Sequence, residues 1–264
     1  MSNPGSASPK KSNKTLKLAL AALFAAIALA LKPLSVYLLP VARLSIFPVP
    51  VLISGIVLGP VWGAAVGVVT DVVGYLFFDT TGAALNPLLT IEFAVIGAVP
   101  GLIFMLFKKE GKASNCNVYN VFAYLGLLVV LVGLFVAKGA LKFEEGALNI
   151  LSPASGNWKA LSWWAVGGIA AAFLLYSVVI VMLVTKRGIG SSDKNTTSMI
   201  LFATTIAVLT GSILIGGTAL ALMYGWSLAL TYCIKIFQSF LTIPLYSLLI
   251  ILVYPVLEKQ KNKL

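Results

Sequence analysis

The sequence predicts an all-α protein, a polytopic helical membrane bundle of about eight transmembrane helices, and three observations carry that prediction. Hydrophobic residues make up 59% of the 264-residue chain and charged residues only 10%, at a mean hydropathy of +1.00, far more apolar than a soluble domain. The apolar runs are continuous rather than alternating, and lipid cannot hydrogen-bond a bare backbone, so the spans are helices and not barrel strands. Lysines gather at the ends of those runs, where they set topology.

The elements follow in order. A Ser- and Lys-rich tail, residues 1–14, is expected to be disordered and cytoplasmic. With the apolar run after it, the tail looks superficially like a signal peptide, but apolar sequence continues past Lys32 and Pro33, so the first helix is read as retained. Spans are expected at about 15–39, 45–58, 61–78, 88–107, 119–137, 162–184, 198–224 and 228–256. The second and third are short and meet at Gly59-Pro60; proline lacks an N–H and restricts the residue before it, so a tight turn is expected there. The chain thus divides into the tail, four spans within 15–114, a helix pair with an outer loop within 115–194, two spans within 195–257, and a cytoplasmic tail, 258–264.

The basic residues orient this layout. Lys10, Lys11, Lys14 and Lys17 precede the first span, and Lys108, Lys109 and Lys112 follow the fourth. Lys186, Arg187 and Lys194 separate the sixth from the seventh, and Lys259, Lys261 and Lys263 close the chain. With eight spans these thirteen of the nineteen basic residues share one side, which the positive-inside rule makes cytoplasmic, with both termini inside a cell membrane. Six or seven spans put one cluster outside. The loop 138–161 is then outer, and Trp158, Trp163 and Trp164 fit an interfacial aromatic belt.

Several functions are excluded or disfavoured. The net charge of +11 serves topology and not nucleic acid, because it sits at span ends. The chain has no histidine, which removes the commonest general base and the imidazole metal ligand. Cys116 and Cys233 fall near opposite faces and have no metal-ligand spacing, so neither a disulfide nor a metal site is expected, and no cofactor is implied. There is no GxxxxGK[ST], GxGxxG or GxSxG pattern, so the protein is not expected to be an enzyme; energy must come from an ion gradient or another subunit.

Ionisable groups in a bilayer cost at least about 2.5 kcal/mol at its centre, so each needs a reason. Here they are Lys32, Arg43, Asp71, Glu92 and Lys235. Lys32 and Arg43 fall at the outer end of the first span and in the connection after it, and Lys235 falls about two turns into the last span. Three cations converging on the outer half describe a positive pocket for an anionic organic solute. Snorkelling accounts equally for Lys32 and Arg43, and Lys235 has Asp71 or Glu92 as an alternative partner. Tyr75, Phe77, Phe78, Tyr232 and Phe237 lie near the same level and suit either packing or stacking on a flat ring. Asp71 and Glu92 also suit a proton relay, whereas an aspartyl protease needs paired aspartates, and Asp79 and Asp193 fall in loops.

Small residues make a second pattern. Ala22, Ala26 and Ala30 share one face of the first helix, with Ala21 and Ala25 beside them, a ridge on which another helix can lie closely. Gly55, Gly59, Gly63 and Gly67 repeat the spacing across the Pro60 turn and are expected to pack within the bundle.

One family resemblance rests on specific residues: Arg43-Leu44-Ser45-Ile46, the Leu58-Gly59-Pro60 turn with Trp62-Gly63, Asp71 followed by Gly74, Phe77-Phe78 before a Thr/Gly loop, Pro87 with Thr90, and Ile234-Lys235 with Pro244. Together with the alanine-rich first helix, these residues resemble the substrate-binding S component of energy-coupling factor (ECF) vitamin transporters, most of all the folate-type members. The likeness spans residues 1–110 and 200–264. It implies a small helical membrane protein that binds a vitamin from outside and docks on a transmembrane coupling subunit driven by two cytoplasmic ATPases. It further implies that Ala22, Ala26 and Ala30 carry docking, and that Arg43, the loop Asp79 to Asn86 and Lys235 lie where the ligand is held; joined to the reading of the cations and aromatics, this makes Lys32, Arg43, Tyr75, Phe78, Asn86 and Lys235 the ligand-binding candidates. S components usually have six spans, so the region 115–194 reads as an inserted pair that leaves both halves in their orientation. The expected function is therefore binding of a folate-like anion. Riboflavin or pantothenate as ligand, a self-sufficient proton-coupled carrier using Asp71 and Glu92, and a ligand-free assembly protein are the alternatives.

Overall fold

Leucine and alanine, both strong helix formers, fill α1 (Lys14–Leu31), which stops just before Pro33 because proline disfavours helical backbone at the residue preceding it. The computed structural model describes residues 14–39, 42–78, 85–110, 116–137, 141–144, 147–151, 158–160 and 194–261. After α1 the chain turns into an antiparallel hairpin, β1 (Ser35–Leu39) with β2 (Ala42–Ser45), in which Tyr37 lies opposite Arg43. The expected span 15–39 is corrected accordingly: the apolar run continues past Pro33 as strand, since Ser-Val-Tyr-Leu-Leu suits a paired strand and the break at proline separates it from the helix.

The expected span 45–58 is corrected too. Its helix, α2 (Pro48–Leu58), has 11 residues, about 16 Å of rise, half of a bilayer core. The turn at Gly59 matches expectation: Gly59 adopts φ +98, donates its N–H to the Gly55 carbonyl at 3.0 Å, and passes directly to Pro60 at the start of α3 (Pro60–Phe78).

α4 (Pro87–Glu110) and α5 (Cys116–Ala137) follow. The segment after α5 contains β3 (Leu141–Glu144), β4 (Ala147–Leu151) and β5 (Trp158–Ala160), paired antiparallel in that order, so among the described residues the helical bundle carries two small sheets. The chain then continues through α6 (Lys194–Ala207), a π-helical stretch Val208–Gly216, α7 (Gly217–Tyr224) and, past Gly225 at φ +66, α8 (Leu228–Lys261). The expected span 162–184, residues 79–84, and residues 1–13 and 262–264 lie outside the described residues; the expected tails 1–14 and 258–264 are corrected where described, since Lys14 opens α1 and α8 runs on to Lys261.

Among the described residues, five helices are long and apolar enough to cross a membrane: α1, α3, residues 87–107 of α4, the run 196–224 and residues 231–258 of α8. α5 has 22 residues, with Val118–Leu127 as its described apolar stretch.

α4 is the central strut, packed on α2, α3, α6 and the π-helical stretch. Glycine makes that packing close. A β-carbon on Gly63 or Gly97 runs into the facing helix backbone, one on Gly55 into the Gly97 carbonyl, and one on Gly67 into that of Phe93. Gly55, Gly63 and Gly67 therefore pack inside the bundle, as expected, against Gly97 and Phe93 of α4, whereas a β-carbon on Gly59 meets nothing within 4 Å. Aliphatic residues including Leu52, Ile200, Ile243 and Ile250 complete the core. The hydroxyls of Thr204, Thr205, Thr210 and Thr218 donate to carbonyls four residues back at 2.6–2.8 Å, so they bring no unpaired donor into the apolar interior. α5 joins α6 through the Tyr124 and Thr205 hydroxyls, 3.1 Å apart, and through Asn120, whose Nδ2 donates to the Ser198 carbonyl at 3.3 Å.

Candidate functional site

Lys32 stands just past the end of α1 because Pro33 ends the helix there. Its ammonium lies 3.7 Å from Asp71 Oδ1, donates to the Asp71 carbonyl at 3.4 Å and stands 5.7 Å over the Phe47 ring. Thr90 donates its hydroxyl to Asp71 Oδ2 at 2.8 Å. Gly74, nearly one turn beyond Asp71, leaves the space the Lys32 chain occupies, since a β-carbon there meets the lysine. Phe47 also packs on Phe93, with ring centroids 5.1 Å apart, so the start of the short α2 lies level with the ion pair and inside the bundle.

A second ion pair sits beside the first. Lys235 of α8 lies 3.8 Å from Glu92 Oε1 of α4, with side-chain exposures of 13% and 6%. Lys235 donates to Ser212 Oγ at 3.4 Å, and the Ser212 hydroxyl is itself hydrogen-bonded to Glu92. A π-helix bonds residue i to i+5, so it stacks residues five apart on one face. Gly211 and Gly216 consequently both meet α4: a β-carbon on Gly211 reaches Ile96, and one on Gly216 comes within 2.5 Å of Glu92 Oε2. Gly217 faces the ring of Tyr232, whose hydroxyl is 2.9 Å from Thr218 Oγ1.

Gly216→Ala therefore forces the Glu92 carboxylate off its seat. We expect a loss of about 1–3 kcal/mol in detergent unfolding, partly recovered in the double variant Gly216→Ala/Glu92→Asp, whose shorter acid clears the new methyl.

Asp71 lies seven residues before the end of α3 and Glu92 five after the start of α4, so both pairs occupy the end of the bundle nearest the connection between those helices. Lys32 and Lys235 lie at the same end of the bundle, and the partner of Lys235, open between Asp71 and Glu92 in the sequence, is Glu92. Each lysine is matched by a carboxylate, so these four charges sum to zero. Arg43 lies in β2, in register with Tyr37. Tyr75 is half-buried, Phe78 is exposed at the end of α3, and Asn86 accepts the Leu88 N–H on Oδ1 at 3.0 Å, capping α4. On α1 the alanines divide: Ala22, Ala26 and Ala30 are exposed, while Ala21, Ala25 and Ala28 are buried with Phe24.

The roles of Thr90, Ser212, Phe47 and Gly216 escape the sequence analysis. The signals were a lone serine in an apolar run and the adjacent glycines Gly216 and Gly217. An open apolar hollow of about 290 Å³ between α3 and α4 reaches Thr90 from the side of Val68 and Ile91. Among the described residues no group of three or more His, Cys, Asp or Glu side chains can hold a metal, and Cys116 and Cys233 are free.

Long apolar helices around a charge-balanced polar cluster define an α-helical membrane protein. No family model, curated protein or solved structure matches the chain.

Proposed function

We propose that the protein is the substrate-specific S component of an ECF-type ATP-driven importer, with cytoplasmic termini, binding a folate-like vitamin from outside. The observation that carries this reading is the division of the alanines on α1. One set is buried against the protein's own bundle, and the other, at four-residue spacing, is exposed. A helix face that meets only lipid has no use for a smooth ridge, whereas a partner helix does, because small residues let two backbones approach. The partner is the coupling subunit, which itself carries the two ATPases.

The polar cluster supports the ligand side of the proposal. It lies at the end of the bundle opposite Lys14, Lys17 and Lys194, and it offers two ammonium groups beside Phe47 and Tyr232. Calorimetric titration of the detergent-purified protein with folate is the test. A stoichiometric isotherm without partners or ATP is expected, and no binding by a folded sample eliminates folate in favour of riboflavin, pantothenate or another flat anion.

The buried carboxylates Asp71 and Glu92 favour one second reading, a self-sufficient proton-coupled carrier. It requires uptake by protein-only liposomes under a pH gradient, which an S component alone does not give.

A further inference from the structure

We propose that Glu92 is an exchangeable counter-ion: the anionic group of the ligand takes its place beside Lys235, and Glu92 takes up one proton from solvent as it does so. This rests on the binding of an anionic ligand proposed above and adds the chemistry by which the site accepts it.

Three observations carry the inference. First, the ion pair is loose. Lys235 has three N–H donors, and its contacts to Glu92 and Ser212 are 3.8 and 3.4 Å, longer than the 2.7–2.9 Å or so of a charge-assisted hydrogen bond. Second, the two partners differ in access, since the lysine side chain is 13% exposed and the carboxylate 6%. An arriving anion reaches the ammonium before the acid. Third, Glu92 has nowhere to go. Gly216 of the π-helical stretch lies against its carboxylate, Gly211 lies against Ile96 and the Glu92 carbonyl, and among the described residues the remaining hydrogen-bonding neighbour is the neutral Ser212 hydroxyl.

The charged groups that face Glu92 from the surrounding elements are few. Lys235 approaches from α8 and Asp71 from α3, the latter held by Lys32 and Thr90. Tyr246 of α8 also feels Glu92, with its hydroxyl donated to the Ser45 carbonyl at 2.8 Å. Asp71 already has Lys32, so no second cation among these neighbours replaces Lys235 when an anion claims it. A carboxylate left in low dielectric without a counter-ion neutralises by protonation. Before binding the site holds an ammonium and a carboxylate; afterwards it holds an ammonium, the ligand anion and a carboxylic acid. Net charge is zero in both, and one proton has entered.

The expected linkage is direct. Folate affinity rises about tenfold for each unit the pH falls, over the range where Glu92 is charged in the free protein and protonated in the complex. Ligand carboxylates, with ordinary values near 4, stay ionised above about pH 6 and contribute no proton.

The experiment is calorimetric titration with folate at one pH in two buffers of different ionisation enthalpy, which counts protons. One proton per folate is expected for the wild type, and none for Glu92→Gln. Folate binding with no proton uptake in the wild type, or with uptake retained in Glu92→Gln, overturns the inference and leaves the vitamin-binding proposal standing. Absence of folate binding overturns the folate proposal instead, and infrared spectra of the ligand-free protein then decide this one. Lys235→Met, or Lys235→Gln if the first does not fold, is expected to show a protonated carboxyl band that Glu92→Gln removes in the double variant. Absence of that band overturns the exchange.

Discussion

On the S-component proposal, Ala26→Trp is expected to cut ATP-driven uptake in vesicles reconstituted with the proposed partners by roughly thirtyfold or more, the scale of a lost interface hot spot, while leaving the fold and the proposed ligand binding in place. Ala26 is exposed on α1, whereas Ala25 and Ala28 beside it are buried at 6% and 0%. An indole at position 26 therefore projects into lipid and disturbs no contact within the bundle. The same indole keeps a partner helix several ångströms away, because close approach requires small residues at the crossing. Ala25→Trp is the matched control: it overfills the core and is expected to abolish accumulation of folded protein. The measurement pairs co-purification of the ATPase complex with vesicle uptake. Unchanged uptake by Ala26→Trp removes the alanine ridge from the coupling mechanism.

Gly97→Ala is expected to cost about 2–3 kcal/mol, the upper range for overpacking, and Gly97→Leu to prevent folding. A β-carbon on Gly97 meets the Gly63 carbonyl group and Ala64 nitrogen, which are backbone atoms that no rotamer change can move aside. α3 and α4 have to separate, and α2 with them, since Gly55 and Gly101 lie in the same seam. Gly126 of α5 is the contrasting position. Nothing lies within 4 Å of a β-carbon there, so Gly126→Ala is expected to be neutral or to stabilise by up to about 1 kcal/mol through helix propensity. Denaturant or thermal unfolding in detergent checks both, and equal stability of Gly97→Ala and wild type contradicts the close seam.

The candidate site was legible in part. Lys32, Asp71, Glu92 and Lys235 could be singled out because charge inside an apolar run is rare and costly, a property of the residues themselves. Their pairing was not, because it depends on helix rotation and on which helices are neighbours. Lys32 reaches Asp71 across 39 positions of sequence, and Ser212 comes to Glu92 through a widened helical turn that periodicity arguments treat as ordinary α-helix. Asn86 shows the opposite case. Marked by the resemblance as a ligand contact, it has a local role that sequence suffices to recognise, an Asn directly ahead of Pro87 at a helix start.

Hydrophobicity and proline together explain both the success and the error in the first two spans. An apolar run measures affinity for lipid or core and carries no statement of backbone conformation, so 35–39 read as helix although it pairs as strand with Ala42–Ser45. Pro33 and the Gly59-Pro60 turn act on their own neighbours through sterics and a missing donor, and those two boundaries were readable from the chain alone.

By itself the sequence determined that this is a helical membrane protein, where its helices break, and which few charges need partners, because each follows from the transfer free energy or local sterics of individual residues. Only the tertiary structure decided that Lys32 belongs to Asp71 and Lys235 to Glu92, that Gly74 and Gly216 make room for them, and which alanines of α1 face outward. Those facts arise from helices distant in sequence meeting at fixed rotation, and close packing, not composition, sets that rotation.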